Sequence, residues 1–433
     1  MTINGGIFVL QQVYNKQISK VWPTKAPAIS SPITNFSTID EGDSVVVNIG
    51  TIDYEGQTLY WTIQGISGTI DSSDFTAISG SFVVASNNFG HFNITTTEDV
   101  TTEGTESFII QIRTDSISGP IKATSSEITI NDTSIYNAPY GWFGGGAPGP
   151  VSRVDRITFA SDTVAATTRG PLNSARRAVG ATGNKNFGWF GGGTAPAYRS
   201  IIDRITFATD SSTAALRGPL SLAKEGIDGS SNDNFGWFGA GFTSTGGRST
   251  VDRITFASDG STATVRGPLS IARGFIASTG NSNYGWFGGG NPGATPISLV
   301  DRIEFAVDTA TASVRGPLFY RAQRLSATGN QDYGWFAGGQ FSFPAENQLS
   351  SVARINFADD TATAPSRTTL SVARNSLSAT GNNDYGWFGG GGGTIPTSSI
   401  VERITFADDT ATTSTRGPLS SVRYGMGSTS GGV

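Results

Sequence analysis

The chain has 433 residues, more than one ordinary hydrophobic core organises, so two or three units are expected. Its formal charge of −5 comes without a Lys/Arg cluster, which argues against nucleic acid or an anionic membrane as partner. Cysteine is absent and His91 is the single histidine, so disulfides, thiolate chemistry and His/Cys metal sites have nothing to build on.

Glycine supplies 57 residues, and they fall in turns and GGG runs, not in a collagen triplet. Val, Ile, Thr, Phe, Tyr and Trp dominate between them with no long 3.6-residue period, so the chain reads as all-β. No apolar run reaches the roughly 18 residues that span a bilayer, and membrane insertion is not expected. The opening stretch MTINGGIFVLQQVYNKQ lacks a basic segment followed by an apolar one, so the standard secretory route is not expected either.

Residues 1–26 form a separate arm. Phe8, Tyr14 and Trp22 are costly to leave in water, so docking on a partner subunit competes with a free terminus. Residues 27–134 change to short alternating segments at 44–49, 58–63, 81–85, 91–95, 107–113 and 127–130. Such spacing predicts a two-sheet β-sandwich. The stretch resembles a Calx-beta domain through Glu41-Gly42-Asp43, Tyr60-Trp61, Asp74-Phe75, Glu103-Gly104-Thr105-Glu106-Ser107-Phe108 and Ile128-Thr129-Ile130-Asn131-Asp132. Some Calx-beta domains bind calcium through a dense acidic cluster. Calcium takes roughly six to eight oxygens, and Asp99, Glu103 and Glu106 offer few in one place. They are read as solvated loop acids, with calcium the lesser alternative and no other cofactor expected.

From residue 138 to 433 one stretch returns six times, beginning with YGWFGGG at 140–146. Its tryptophans, Trp142, Trp189, Trp237, Trp286, Trp335 and Trp387, lie 47, 48, 49, 49 and 52 residues apart. A fixed period near 48 in a strand-prone, Gly-rich sequence predicts a propeller. In the copy at Tyr284, strands are expected at 284–287, 299–306, 311–315 and 322–327, one four-stranded antiparallel blade. The repeats open mid-blade, and the chain ends with one orphan inner strand after Arg416-Gly417-Pro418-Leu419. That strand is expected to complete the first blade, giving six blades and no open edge. The fold expectation is therefore an arm, a β-sandwich and a six-bladed β-propeller.

The glycine doublet, the Asp-Thr turn and the Arg of the inner strand resemble the kelch repeat. Phe159, Phe207 and Phe305 stand where kelch often has Tyr, and Trp precedes the glycines. Such a resemblance implies the fold and no particular partner. The tryptophans are expected to pack between blades, each burying about 150–250 Å².

Asp-Arg recurs at Asp155-Arg156, Asp203-Arg204, Asp252-Arg253 and Asp301-Arg302, becoming Ala353-Arg354 and Glu402-Arg403; a repeated blade-to-blade salt bridge is the favoured reading. Arg176, Lys224, Arg273, Arg374 and Arg423 open inner strands. Internal pairing is favoured for them, with a positive channel ring as the alternative. Ser258-Asp259-Gly260-Ser261-Thr262 faintly matches a sialidase Asp box but sits where every copy has a turn. No pair of carboxylates stands apart from the repeat as a glycosidase needs, and no Ser-His-Asp set can form in the repeats. The chain is read as no enzyme.

What varies is the loop after each GGG, at 147–152, 194–200, 242–250, 291–298, 340–350 and 394–399, on the face shared with the crossovers. Tyr198, Arg199, Phe242, Phe319, Tyr320, Phe341, Phe343 and Glu346 are the candidate recognition residues there. The whole repeat, GWFGGG…DRITFA…RGPLS, resembles virion structural proteins of tailed phages, particularly cyanophages. That resemblance implies a structural tail or neck appendage in the virion, assembled in the host cytoplasm and released by lysis. The arm would bind other virion proteins, the propeller face a host-surface glycan, and the subunits could form a homo-oligomer. A bacterial surface adhesin or interaction scaffold is the alternative.

Overall fold

The computed structural model describes residues 26–68, 70–97, 105–131, 137–293, 295–341, 347–392 and 396–431. Phe8, Tyr14, Trp22, Asp99, Glu103, Phe343 and Glu346 lie outside the described residues. The chain divides into two compact units, Met1–Ile135 and Tyr136–Val433.

In the first unit Ser44–Ile52 pairs with Ala28–Ile29, Ile33–Thr34 and Phe89–Thr95. A second sheet runs Thr38–Asp40, Ile128–Asn131, Glu106–Arg113, Thr58–Ser67, Ser79–Val83, with Ile121–Thr124 also on Glu106–Arg113. Strict alternation turns Val45, Val47 and Ile49 inward, where they share one core with Leu59, Trp61, Ile110 and Ile112. Trp61 stacks on Phe92 at 5.0 Å. Glu106, expected as a solvated loop acid, is instead buried at the start of its strand.

The second unit is a propeller-like array of four-stranded antiparallel sheets. Among the described residues there are six, numbered here by their tryptophans from Trp142 to Trp387. In sheet 4 the strands are Ala277–Gly280, Tyr284–Gly288, Val300–Glu304 and Ser313–Arg315, from inner to outer. The third strand stops short of the expected residue 306 because Phe305–Val307 turns as a 3₁₀ helix. That turn carries Phe305 against Trp237 of sheet 3, centroids 3.9 Å apart and planes within 4°. In sheet 5 the inner strand is Ser326–Gly329 and not 322–327, because residues 322–325 form a buried turn before it.

The same stack joins every neighbouring pair, with centroids 3.8–3.9 Å apart. All six tryptophans are at most 1% exposed. Each indole Nε1 donates to a turn aspartate of the next sheet at 2.8–2.9 Å: Trp142 to Asp210, Trp189 to Asp259, Trp237 to Asp308, Trp286 to Asp360, Trp335 to Asp409, Trp387 to Asp162. The Arg of the Asp-Arg motif reaches that same carboxylate, Arg156 lying 3.0 Å from Asp210 and Arg403 3.1 Å from Asp162. So the blade-to-blade salt bridge is made by the motif's arginine to a turn aspartate, not to a neighbouring motif's Asp.

Innermost strands touch in cyclic order. Threonines on them fit against glycines next door; a Cβ added to Gly334 of sheet 5 would clash with Thr279 of sheet 4. Gly427–Ser430 pairs with Tyr140–Gly144, so the last strand belongs to the first sheet. Deleting residues 420–433 should strip that strand, bare an edge along Tyr140–Gly144 and cause aggregation. Light scattering after gel filtration checks it; a monomer that melts at the full-length temperature overturns it.

Candidate functional site

The cations expected to open the inner strands lie four residues before them, in the buried turn that precedes each strand, and are spent inside the sheets. Arg176, Lys224, Arg273, Arg374 and Arg423 pair with Asp203, Asp252, Asp301, Glu402 and Asp155 at 2.6–3.0 Å, with both partners essentially unexposed. The positive channel ring is therefore overturned: these charges are neutralised in the interior. Burial pushes Asp203 up while Arg176 pulls it back, and burial likewise pushes Arg374 and Arg423 down against Glu402 and Asp155.

Sheet 5 has Ala322 and Ala353 at the two paired positions, both buried. There the Tyr320 hydroxyl donates to Phe336 O at 3.0 Å, standing in for Arg273, which donates to Phe287 O in sheet 4. Tyr320, expected as a recognition residue, is half-buried with its hydroxyl turned inward. Burial pushes its phenol above the ordinary range.

Two residues after each of these positions, Ala322 included, the chain turns through positive φ, at Ala178, Gly226, Phe275, Arg324, Ser376 and Gly425. Their N–H groups form a closed ring of hydrogen bonds: Ala178 to Gly425 O, Gly425 to Ser376 O, Ser376 to Arg324 O, Arg324 to Phe275 O, Phe275 to Gly226 O and Gly226 to Ala178 O, at 2.7–3.0 Å. Left-handed backbone costs on the order of 1–3 kcal/mol for a non-glycine, most clearly for a bulky residue such as Phe275. Retaining Phe275 and Arg324 there points to a use for their side chains.

That ring frames one mouth of the central channel. A cavity of about 210 Å³ opens there, lined by Arg177, Glu225, Phe275, Arg324, Ser376 and Tyr424 among others. Isolated bridges tie the preceding residues to the variable loops, Arg177 to Thr194, Glu225 to Phe242, Gln323 to Gln340, Asn375 to Gly392 and Tyr424 to Ala147. Mouth and loops therefore share a side. Phe242 packs on Phe275 at 5.5 Å, and the Arg324 guanidinium lies over the Phe275 ring at 4.8 Å. Behind the loops, buried amides lock together, Asn291 to Gln323 and Asn375 to Gln340.

Burial raises the Glu225 carboxyl, with Arg177 and Arg324 lowering it. Deeper, a cavity of about 90 Å³ is lined by Asp228, Ser278, Ser326, Ser378 and Ser428. Asp228 accepts from Ser278 N at 2.7 Å, yet burial lifts its carboxyl from 3.8 to about 7. A shallower depression of about 620 Å³ lies beside residues 147–153, walled by prolines and by Arg153 and Arg169; Arg169 is already engaged with Asp210.

Among the described recognition candidates, Phe242 packs against a residue of the mouth, Phe275. Arg199 and Tyr198 lie on the loop side in the segment bridged by Thr194, Arg199 exposed and Tyr198 half-buried. Phe319 is 39% and Phe341 44% exposed. Reading the loops alone missed Arg177, Glu225, Phe275, Arg324 and Tyr424. The signal was present: the pair of residues after positions 176, 224, 273, 322, 374 and 423 is different in every copy, as Arg-Ala, Glu-Gly, Gly-Phe, Gln-Arg, Asn-Ser and Tyr-Gly. Glu225 and Asp228 are also carboxylates that break the repeat. Among the described residues no group of three or more His, Cys, Asp or Glu is placed to hold a metal, and no helix is long and apolar enough to cross a membrane.

No protein-family profile matches this chain, and no curated protein matches it in sequence. Among solved structures it is similar to one titled "Structure of YjhT", with a TM-score of 0.52 and 10% identity, over 65% of this chain and 99% of that one. At that identity the likeness concerns the fold.

Two outcomes follow from these buried charges. Arg176→Ala should cost about 3–5 kcal/mol in chemical denaturation because Asp203 is left unpaired, whereas Arg176→Ala with Asp203→Ala should cost well under that. A double variant as unstable as the single one contradicts the account. For Asp228 the folded pKa lies above the unfolded one, so the folded state holds a proton that the unfolded chain has lost. Stability should fall as pH rises from about 4 to about 7 and stay flat beyond. Asp228→Asn should therefore raise the pH 8 melting temperature by a few degrees, on the order of 1–2 kcal/mol after screening, and the gain should vanish near pH 4.

Proposed function

We propose that the protein is a non-enzymatic structural appendage of a tailed-phage particle: a six-bladed, kelch-like propeller whose loop side recognises a host-surface glycan, preceded by a Calx-beta-like sandwich and by an arm, residues 1–26, that attaches to other virion proteins. One observation carries the reading. Within a repeat whose Trp, Phe, Arg, Asp and Gly positions are nearly uniform, chemical variation gathers at the channel mouth and in the loops bridged to it. Packing demands the same residue in each copy, so a side that escapes that demand is available for recognition.

A closed ring of sheets suits this role. Turn aspartates, indoles and arginines that recur in every copy are engaged in holding neighbours together, which leaves them structural and leaves the mouth as the place for a ligand. Cavity, strained backbone and mixed polar and aromatic walls coincide there.

Glycan-array binding tests the reading. Wild-type protein should give a defined signal, and Phe341→Ala with Phe343→Ala should weaken it at least tenfold without shifting the melting temperature. In a particle reconstruction the chain should sit at the periphery with its loop side outward. A loop side buried against the particle, or an array signal indifferent to both substitutions, overturns the adsorption role.

A further inference from the structure

We propose that the loop side of the second unit docks on an acidic polysaccharide, one anionic group of the polymer seating in the mouth cavity between Arg177 and Arg324. The inference rests on the recognition role proposed above and adds the charge of the ligand.

Once the buried pairs and turn aspartates are set aside, the described charges of the unit separate by side. Arg153, Arg177, Arg199, Arg248, Arg321 and Arg324 lie with the loops and the mouth, opposed there by Glu225 and, deeper, by Asp228. On the other side, the turns after the inner strands and the ends of the third strands with the turns after them carry Asp233, Glu304, Asp332, Asp359, Asp384 and Asp408, opposed by Lys185. A chain of net negative charge therefore presents one cationic side. Asn137, the first described residue of this unit, bonds to Asp384 and Asn383. Asn137 thus lies on the acidic side, opposite the arginines.

Every cation of the loop side is arginine. Its planar fork matches carboxylate and sulfate oxygens two at a time, which a lysine ammonium does not. Phe275 and Tyr424 line the same cavity and give its wall aromatic surface beside the arginines. At about 210 Å³ it is smaller than the roughly 300–1,000 Å³ of drug-sized sites, so it seats one small group and the remaining contacts lie along the rim. A nucleic-acid duplex fits less well. It carries one charge per about 1.7 Å and is held by a continuous cationic track, whereas these arginines are spread over loops of several sheets with Glu225 at the centre.

Binding to immobilised polygalacturonate and dextran sulfate, against neutral dextran and duplex DNA, tests the proposal with the full chain. Either acidic polymer should bind, dextran should not, and raising salt from 50 to 300 mM should weaken binding at least tenfold. Arg177→Gln with Arg324→Gly should weaken it at least tenfold; glycine suits position 324, since Gly226 and Gly425 occupy the equivalent backbone. Glu225→Gln should strengthen it several-fold, a gain that misfolding cannot mimic. Dextran bound as well as the acidic polymers overturns the acidic ligand but leaves glycan recognition standing. No polysaccharide bound overturns both, and tighter binding to DNA than to either acidic polymer overturns this proposal.

Discussion

Each turn aspartate of the second unit sits among donors supplied by the sheet before it: an indole N–H, the Arg of the third strand and the Arg of the outer strand. A carboxylate buried this far is tolerable only when such donors surround it. The third-strand arginine is fixed in turn beneath an aromatic ring of its own sheet, Arg156 lying 4.2 Å from the Tyr140 centroid and Arg403 4.2 Å from Tyr385. No sheet can complete this arrangement by itself. The requirement passes from neighbour to neighbour until Trp387, Arg403 and Arg416 reach back to Asp162 in the first sheet. Closure is thus a condition of electrostatic satisfaction as well as of hydrogen bonding.

The interior of each sheet meets a second demand in two ways. Five sheets use a buried cation with a buried carboxylate. The fifth in order drops both and lets Tyr320 bond the carbonyl that a guanidinium serves elsewhere. Losing one partner alone strands a charge, but losing both removes two desolvation costs together, so the paired exchange is tolerated. Within one chain the repeat thus contains its own comparison between an ion pair and a neutral packing solution.

Positions that answer to neither demand are free to differ, and they cluster. The six-membered amide ring sets the backbone at the mouth whatever side chain it carries. Ala178, Phe275, Arg324 and Ser376 therefore occupy equivalent places with unrelated chemistry. A rigid frame with unlike side chains on it is what a recognition surface requires. The same freedom explains how the arginines gather on one side, since no packing rule fixes charge there.

Several features were legible in the residues themselves. The period of the tryptophans, the strand–glycine–strand grammar and the orphan segment at the end led to four-stranded sheets and to a last strand that joins the first sheet, because strand propensity and repetition are local properties; that strand was expected before Met426 and lies at 427–430. Tryptophan burial followed from ring size alone. What local reading could not assign was partnership. Asp-Arg looks like one unit along the chain, yet alternation in a strand sends its two side chains to opposite faces, Asp203 to Arg176 within the sheet and Arg204 to Asp259 in the next. Composition likewise showed no basic cluster, since residues 153 to 324 become neighbours only when the sheets circle a common axis. Glu106 looked solvated for the same reason, its burial depending on strands that pair with it from elsewhere. Sequence determined which elements form, since those depend on neighbours a few residues away; tertiary structure decided which charges cancel and which face outward, because that depends on distances the chain sets only by closing on itself.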